Sequence, residues 1–293
     1  MGKMVFDRWS PAFAQTWSFR LLMRHQTEIN NMYWAHQAAM RKAFECTKGA
    51  SLSGQCLSFF TMKSGQSRHL PSTLKEWAHE YNAFDNWTRL SSLVSATGYL
   101  EVFIKTMVRL ALESDPGVIV GCSRKIDGTD PLKNQLNYTF KDEASTCAKG
   151  EWQSRIASYK KYFGICPTAI TDHIQELEFI RRTRNGVAHT FGRGIDDYDL
   201  LAQAKPRKLI TLNENRFLKY LGIIEEVAKG IESHLAPQHI GDYESVYHFH
   251  RWVSGKRCED ANIKLLKCEF ANMHGSPIGK QYCKDLWKYY ESI

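Results

Sequence analysis

The segment Arg181-Arg-Thr-Arg-Asn-Gly-Val-Ala-His189 sets three chemically useful side chains close together: Arg184, Asn185 and His189. A guanidinium is planar and permanently charged, and its paired donors match phosphate oxygens. An imidazole titrates near neutral pH and can take or give a proton there. On a helix Asn185 and His189 fall one turn apart on one face, so the amide can orient the ring or bind phosphate. These are the parts for moving a proton and stabilising charge at a phosphate. Arg181, Arg182 and Arg193 flank the trio. Arg181 and Arg193 are candidates to line a path for the polyanion, and Arg182 reads as a surface partner of Glu178 at i,i+4.

Other chemistries find little support. The chain holds neither GxxxxGK[ST] nor GxGxxG, and no GxSxG. Its 8 cysteines include no CxxC pair, so they read as reduced thiols. His248 and His250, with Cys258 and Cys268, fit no standard zinc spacing and read as structural. No metal and no cofactor is expected.

The elements that must position the trio are helical. Apolar residues recur at three- and four-residue steps almost throughout. One or two helices are predicted over 13–47, closed by the Gly/Ser-rich stretch Thr47 to Gly54. Thr73 and Glu76 form a capping-box pattern that opens a short helix. A long helix follows over about 86–114, with a stripe of Leu90, Leu93, Val94, Leu100, Ile104, Met107 and Val108. Residues 115–150 carry turn signals and read as an irregular insertion, with Val118 to Val120 able to form a short strand. A helix over Trp152 to Phe163 stops at Gly164. Asp172 and Gln175 then open the helix that carries the trio, with Ile174, Leu177, Ile180, Val187, Ala188 and Phe191 on its apolar stripe. Arg184 lies on that stripe and must find a partner, for which Glu101 is available. Gly186 exposes bare backbone inside the helix. Thr211 and Glu214 open a last core helix that Pro237 closes. The fold class is all-α, an up-and-down bundle. It comprises a basic extension over 1–71, a core over 72–236 and a C-terminal extension over 237–293.

Arg184-Asn185-Gly186-Val187-Ala188-His189 resembles the signature of the HEPN superfamily: an arginine, a polar residue that is often asparagine, and a histidine near the end of a core helix. The flanking Leu177-Glu-Phe-Ile-Arg-Arg-Thr and Thr190-Phe-Gly-Arg193 are also similar, as is the element order over about 85–236. The resemblance implies a HEPN-like bundle and a metal-independent endoribonuclease with Arg184, Asn185 and His189 as catalytic residues. It further implies a homodimer that brings two copies of the motif into one cleft, and a toxin or antiviral role, with an antitoxin or regulatory protein as a further partner. The alternative is a catalytically silent HEPN module that binds RNA or a protein. The residues alone also read blandly, as a half-buried arginine paired with a carboxylate and a histidine favoured by the helix C-terminus.

The net charge of +8 suits a nucleic-acid partner. Residues 1–70 hold nine Lys or Arg against three Asp or Glu, and they also carry Trp9, Trp17 and Trp34. No signal peptide is evident, and charges interrupt the apolar stretch Leu90 to Leu112, so a soluble cytoplasmic protein without a membrane span is expected.

Overall fold

The computed structural model of the chain describes residues 6–136, 139–190, 209–254, 262–274 and 278–293; the side chains of His189, Thr190 and His274 lie outside that description. The fold is all-α, with no strand among the described residues. The helices are α1 (Trp17–Cys46), α2 (Leu74–Ser114), α3 (Thr129–Lys133), α4 (Lys141–Ala148), α5 (Trp152–Phe163) and α6 (Thr168–Asp172). They continue with α7 (Ile174–Thr190), α8 (Glu214–Leu235), α9 (Tyr243–Ser254), α10 (Ile263–His274) and α11 (Lys280–Ser292). None of them is long and apolar enough to cross a membrane.

The capping box forms as expected. Thr73 Oγ1 accepts the Glu76 amide at 3.3 Å, and Glu76 Oε2 accepts the amides of Thr73 and Ser72 at 3.1 Å each. It opens α2 directly, however, and not a separate short helix. The expected boundary between the short helix and the long one, near residue 86, falls at Asp85 and Asn86. They are instead buried polar residues inside one 41-residue helix. Val118 to Val120 form the end of a 3-10 turn over Pro116–Val120, where Pro116 favours the turn, and not a strand. Gly164 takes φ +75° and ends α5, a conformation that costs glycine least.

The contacts divide the chain into two compact units, each discontinuous in sequence. The first comprises Met1–Leu22, Leu100–Ile174 and Glu225–Ile293. Its core includes Phe103, Ile104, Met107, Trp152, Tyr159, Val227, Ile231, Phe249, Phe270 and Tyr282, all buried. Arg8 is its main polar hub. The buried guanidinium donates to Asp127 Oδ1 at 3.1 Å, to the Ile240 carbonyl at 2.8 Å, and to the Ser114 carbonyl and hydroxyl at 2.8 Å each. It also lies over the rings of Trp9 and Tyr243. Gly241 sits so close to the Arg8 carbonyl that an added Cβ would stand 2.3 Å from that oxygen.

The same unit fixes the start of α1 with carboxylates from elsewhere in the chain. Glu232 accepts the Thr16 amide at 2.6 Å and the Thr16 hydroxyl at 2.7 Å, and Glu244 accepts the Trp17 amide at 3.0 Å. These amides are donors that a helix start leaves unmet. Burial pushes the Glu244 carboxyl up to about 7, against the hydrogen bond from Trp17, and neighbouring Glu232 raises it further.

The second unit comprises Met23–Tyr99 and Gln175–Ile224. Ile29 and Tyr33 of α1, Leu90 and Leu93 of α2, Leu177 and Ile180 of α7, and Phe217 and Tyr220 of α8 are buried in it. A satellite cluster of Cys56, Leu74 and Trp77 packs with Phe44, Phe60 and Tyr81 where α2 begins.

Candidate active site

The site is built on α7. Its buried line runs through Leu177, Ile180 and Thr183, which are 1%, 2% and 4% exposed. The expected stripe stepped from Ile180 to Arg184; the observed one steps by three to Thr183, because a threonine hydroxyl counted as polar still leaves a methyl to bury. Ala188, placed on the stripe by its type, is exposed, and Arg184 and Val187 are half-buried beside it. Arg184 therefore flanks the core and does not sit in it, which removes much of the desolvation cost of its charge.

Arg184 Nη1 donates to Asn185 Oδ1 at 2.8 Å. The amide oxygen is thus turned onto the guanidinium, and the NH2 becomes the donor end of Asn185. Such a bond orients both groups, since a planar guanidinium constrains its acceptor in direction as well as distance. α7 continues through Thr190, so position 189 follows Asn185 by one helical turn. The side chain of His189 and the whole of Arg193 lie outside the described residues, as does Phe191.

Arg181 and Arg182 share one carboxylate. Arg181 Nε meets both Glu178 oxygens at 3.0 Å, and its Nη2 also donates to Glu178. Arg182 Nε reaches Glu178 Oε1 at 3.2 Å from a largely exposed position, the i,i+4 pair expected of it. Arg181, a candidate for the polyanion path, is thereby held against its own helix. Glu101, the carboxylate available to Arg184 from the sequence, receives Arg155 Nη2 at 3.1 Å.

The end of α7 is supported by the segment that enters α8. Gly186 faces Ile210, whose Cδ1 would stand 3.7 Å from an added Cβ, an ordinary van der Waals distance. Asn86 of α2 clamps that same segment: its amide nitrogen donates to the Ile210 carbonyl and its oxygen accepts the Leu212 amide, both at 2.8 Å. Arg89 Nε adds a bond to the Leu212 carbonyl at 2.5 Å. Asp85 Oδ1 accepts Gln37 Nε2 at 2.7 Å and lies 3.2 Å from His36 Nε2, while Oδ2 pairs with Arg89. Asp85, Asn86 and Arg89 escaped the sequence reading because no spacing rule marks a buried polar residue; the only signal was their interruption of an apolar stripe. α8 is capped by Asn213, whose Oδ1 accepts the Arg216 amide at 2.9 Å. The expected cap, Thr211, lies before it. Tyr33 donates to Glu214 Oε2 at 2.9 Å, and burial followed by that bond pushes its hydroxyl up to about 12.

No protein-family model matches the chain, and no curated protein or solved structure matches it with significance.

His250, one of the residues weighed as a zinc ligand, pairs through Nδ1 with the Tyr290 hydroxyl at 2.7 Å, and His248 lies edge-on to Trp17 and Phe270. In the basic N-terminal flank, Arg8 is buried on Asp127, while Arg24 and Lys42 form exposed pairs with Glu28 and Glu45.

Proposed function

We propose that the chain is a metal-independent endoribonuclease of the HEPN type, acting as a homodimer and serving as a toxin or antiviral effector. The observation that supports the reading best is the Arg184–Asn185 pair, half-buried on α7 one turn before position 189. In this reading Arg184 binds the scissile phosphate and stabilises the charge that builds on it. His189 takes the proton of the ribose 2′-OH as that oxygen attacks phosphorus. The P–O5′ bond breaks, and the His189 of a second copy protonates the leaving oxygen. The products are a 2′,3′-cyclic phosphate and a 5′-OH. An isologous contact between motif helices supplies both histidines, because one copy carries a single one.

The test is digestion of RNA in EDTA by the wild type, His189→Ala and Arg184→Ala. The wild type should leave cyclic-phosphate ends. Each variant should lose activity by about a hundredfold or more, the usual effect of removing a proton-transfer group or a charge-stabilising donor. Equal cleavage by wild type and His189→Ala would take His189 out of the mechanism.

A further inference from the structure

We infer that residues 12–17, which lead into α1, are a pH-operated clasp that closes in mild acid and opens as the solution becomes neutral, while the Arg8 end of the same segment stays in place. The clasp does not depend on the ribonuclease reading. Three carboxylates from far along the chain converge on it. Glu232, late in α8, accepts the amide and the hydroxyl of Thr16. Glu244, in the first turn of α9, accepts the Trp17 amide. Asp242, between them in sequence, accepts the Ala12 amide at 3.5 Å and the Tyr282 hydroxyl at 2.8 Å. Glu232 and Asp242 are buried, and Glu244 is partly buried. Like charges gathered out of water are costly to ionise together.

The groups that face these carboxylates offset that cost only in part. Arg20 of α1 acts on Glu232 and Glu244, and Arg8 acts on Asp242 but is itself bound to Asp127. Tyr282 of α11 is a neutral hydroxyl, which burial pushes well above its ordinary range. His248 of α9 lies edge-on to the Trp17 ring. Burial lowers its affinity for a proton, and Glu269 and Arg251 act on it in opposite directions. Burial of the carboxylates thus outweighs the amide bonds and the arginines. It pushes Glu244 up to about 7 and Asp242 up to about 6, and it raises Glu232. The closed clasp therefore holds protons that the open one gives up. Closure is favoured in acid, and the advantage is lost as pH rises through these values.

The Arg8 end responds in the other direction. Against the burial of Asp127, the Arg8 guanidinium and the bonds from Tyr289 and Thr129 hold its carboxyl below the ordinary range. That ion pair persists where the clasp opens. The backbone there is fixed as well: the Arg8 carbonyl accepts the Asp242 amide at 3.0 Å, and it leaves no room for a Cβ at Gly241. The movable part therefore begins beyond residue 9.

Amide hydrogen exchange of the full chain, resolved by residue with NMR and corrected for the intrinsic pH dependence of exchange, reads the clasp directly. From about pH 5 to about pH 8 the Thr16 and Trp17 amides should lose protection by about tenfold or more, since one pK unit lost on opening is a factor of ten. The Asp242 amide, bonded to Arg8, and the core amides of Phe103 and Met107 should keep theirs. Glu244→Gln should remove most of the change and Asp242→Asn a smaller part, with circular dichroism reporting that each variant is folded. Protection of Thr16 and Trp17 that stays level across the range in the wild type overturns the inference. A parallel loss at Phe103 and Met107 also overturns it, because the whole unit would then be unfolding. So does an undiminished pH response in Asp242→Asn/Glu244→Gln.

Discussion

Arg184 and Asn185 are adjacent in sequence yet bond through their side chains, Nη1 to Oδ1 at 2.8 Å, so that each fixes the direction of the other. Asn185→Ala should therefore act on two observables. Loss of a charge-assisted bond at a half-buried site should cost about 1 kcal/mol in urea unfolding. Cleavage should fall roughly tenfold to hundredfold, since a guanidinium off its line is a positioning defect. Asn185→Asp keeps an acceptor for Arg184 and should retain most of the stability.

Gly186 should tolerate a methyl group. Among the described residues, an added Cβ would meet Ile210 Cδ1 at 3.7 Å, an ordinary contact distance. Gly186→Ala then gains helix propensity worth up to about 1 kcal/mol, and its urea midpoint should rise. A lower midpoint would show that the contact with Ile210 is tighter than this distance implies.

The carboxylates at the start of α1 give the first unit a defined pH response. Burial raises Glu244 from 4.5 to about 7 and Asp242 from 3.8 to about 6. Between the ordinary and the raised values the folded state binds more protons than the unfolded chain. Stability contributed by these groups is thus complete below about pH 4 and is lost as pH rises towards 7. Glu244→Gln keeps an oxygen for the Trp17 amide but cannot ionise. Its melting temperature should exceed that of the wild type at alkaline pH, with the gap closing in acid.

His234 responds in the opposite sense. Burial first, and then His239, lowers its affinity for a proton. Its contribution is present above the ordinary value of 6.5 and is lost as pH falls below it. Tyr159 donates to or accepts from His234 Nδ1 at 2.8 Å in a buried setting. Tyr159→Phe should cost about 1–3 kcal/mol, the penalty for stranding a buried ring nitrogen, measured by denaturant unfolding at neutral pH.

Arg8→Ala should be the most damaging single change. It strips a buried cation from Asp127, from two carbonyls and from the Ser114 hydroxyl at once. Breaking a buried pair from one side costs about 3–5 kcal/mol. Expression of folded protein should fall sharply, whereas Arg24→Ala, whose side chain is 77% exposed, should be silent.

What could be read in the sequence was what local physics dictates. The Thr73–Glu76 cap, the stop at Gly164 and the helical period all act over a few residues, and each is present in the structure. The misreadings lie where tertiary contacts decide. The helix boundary expected near residue 86 is absent, and Asp85 and Asn86 there bond to Gln37 and Leu212, which are distant in sequence. Thr211 looked like the cap of α8, but Asn213 performs it with a side chain equally suited to the task. At the site, residue type and spacing named Arg184 and Asn185, but not that they bond to each other. Nor did they show that Glu178 holds Arg181.

The acceptors for the Thr16 and Trp17 amides lie 216 and 227 residues downstream. A ribosome delivers this chain from its N-terminus, so the opening turn of α1 emerges long before Glu232 and Glu244 exist. Closure of that unit waits until Glu232 and Glu244 have been synthesised, and such distant pairing is slow. Until then the exposed apolar side of α1 is a natural client for a chaperone.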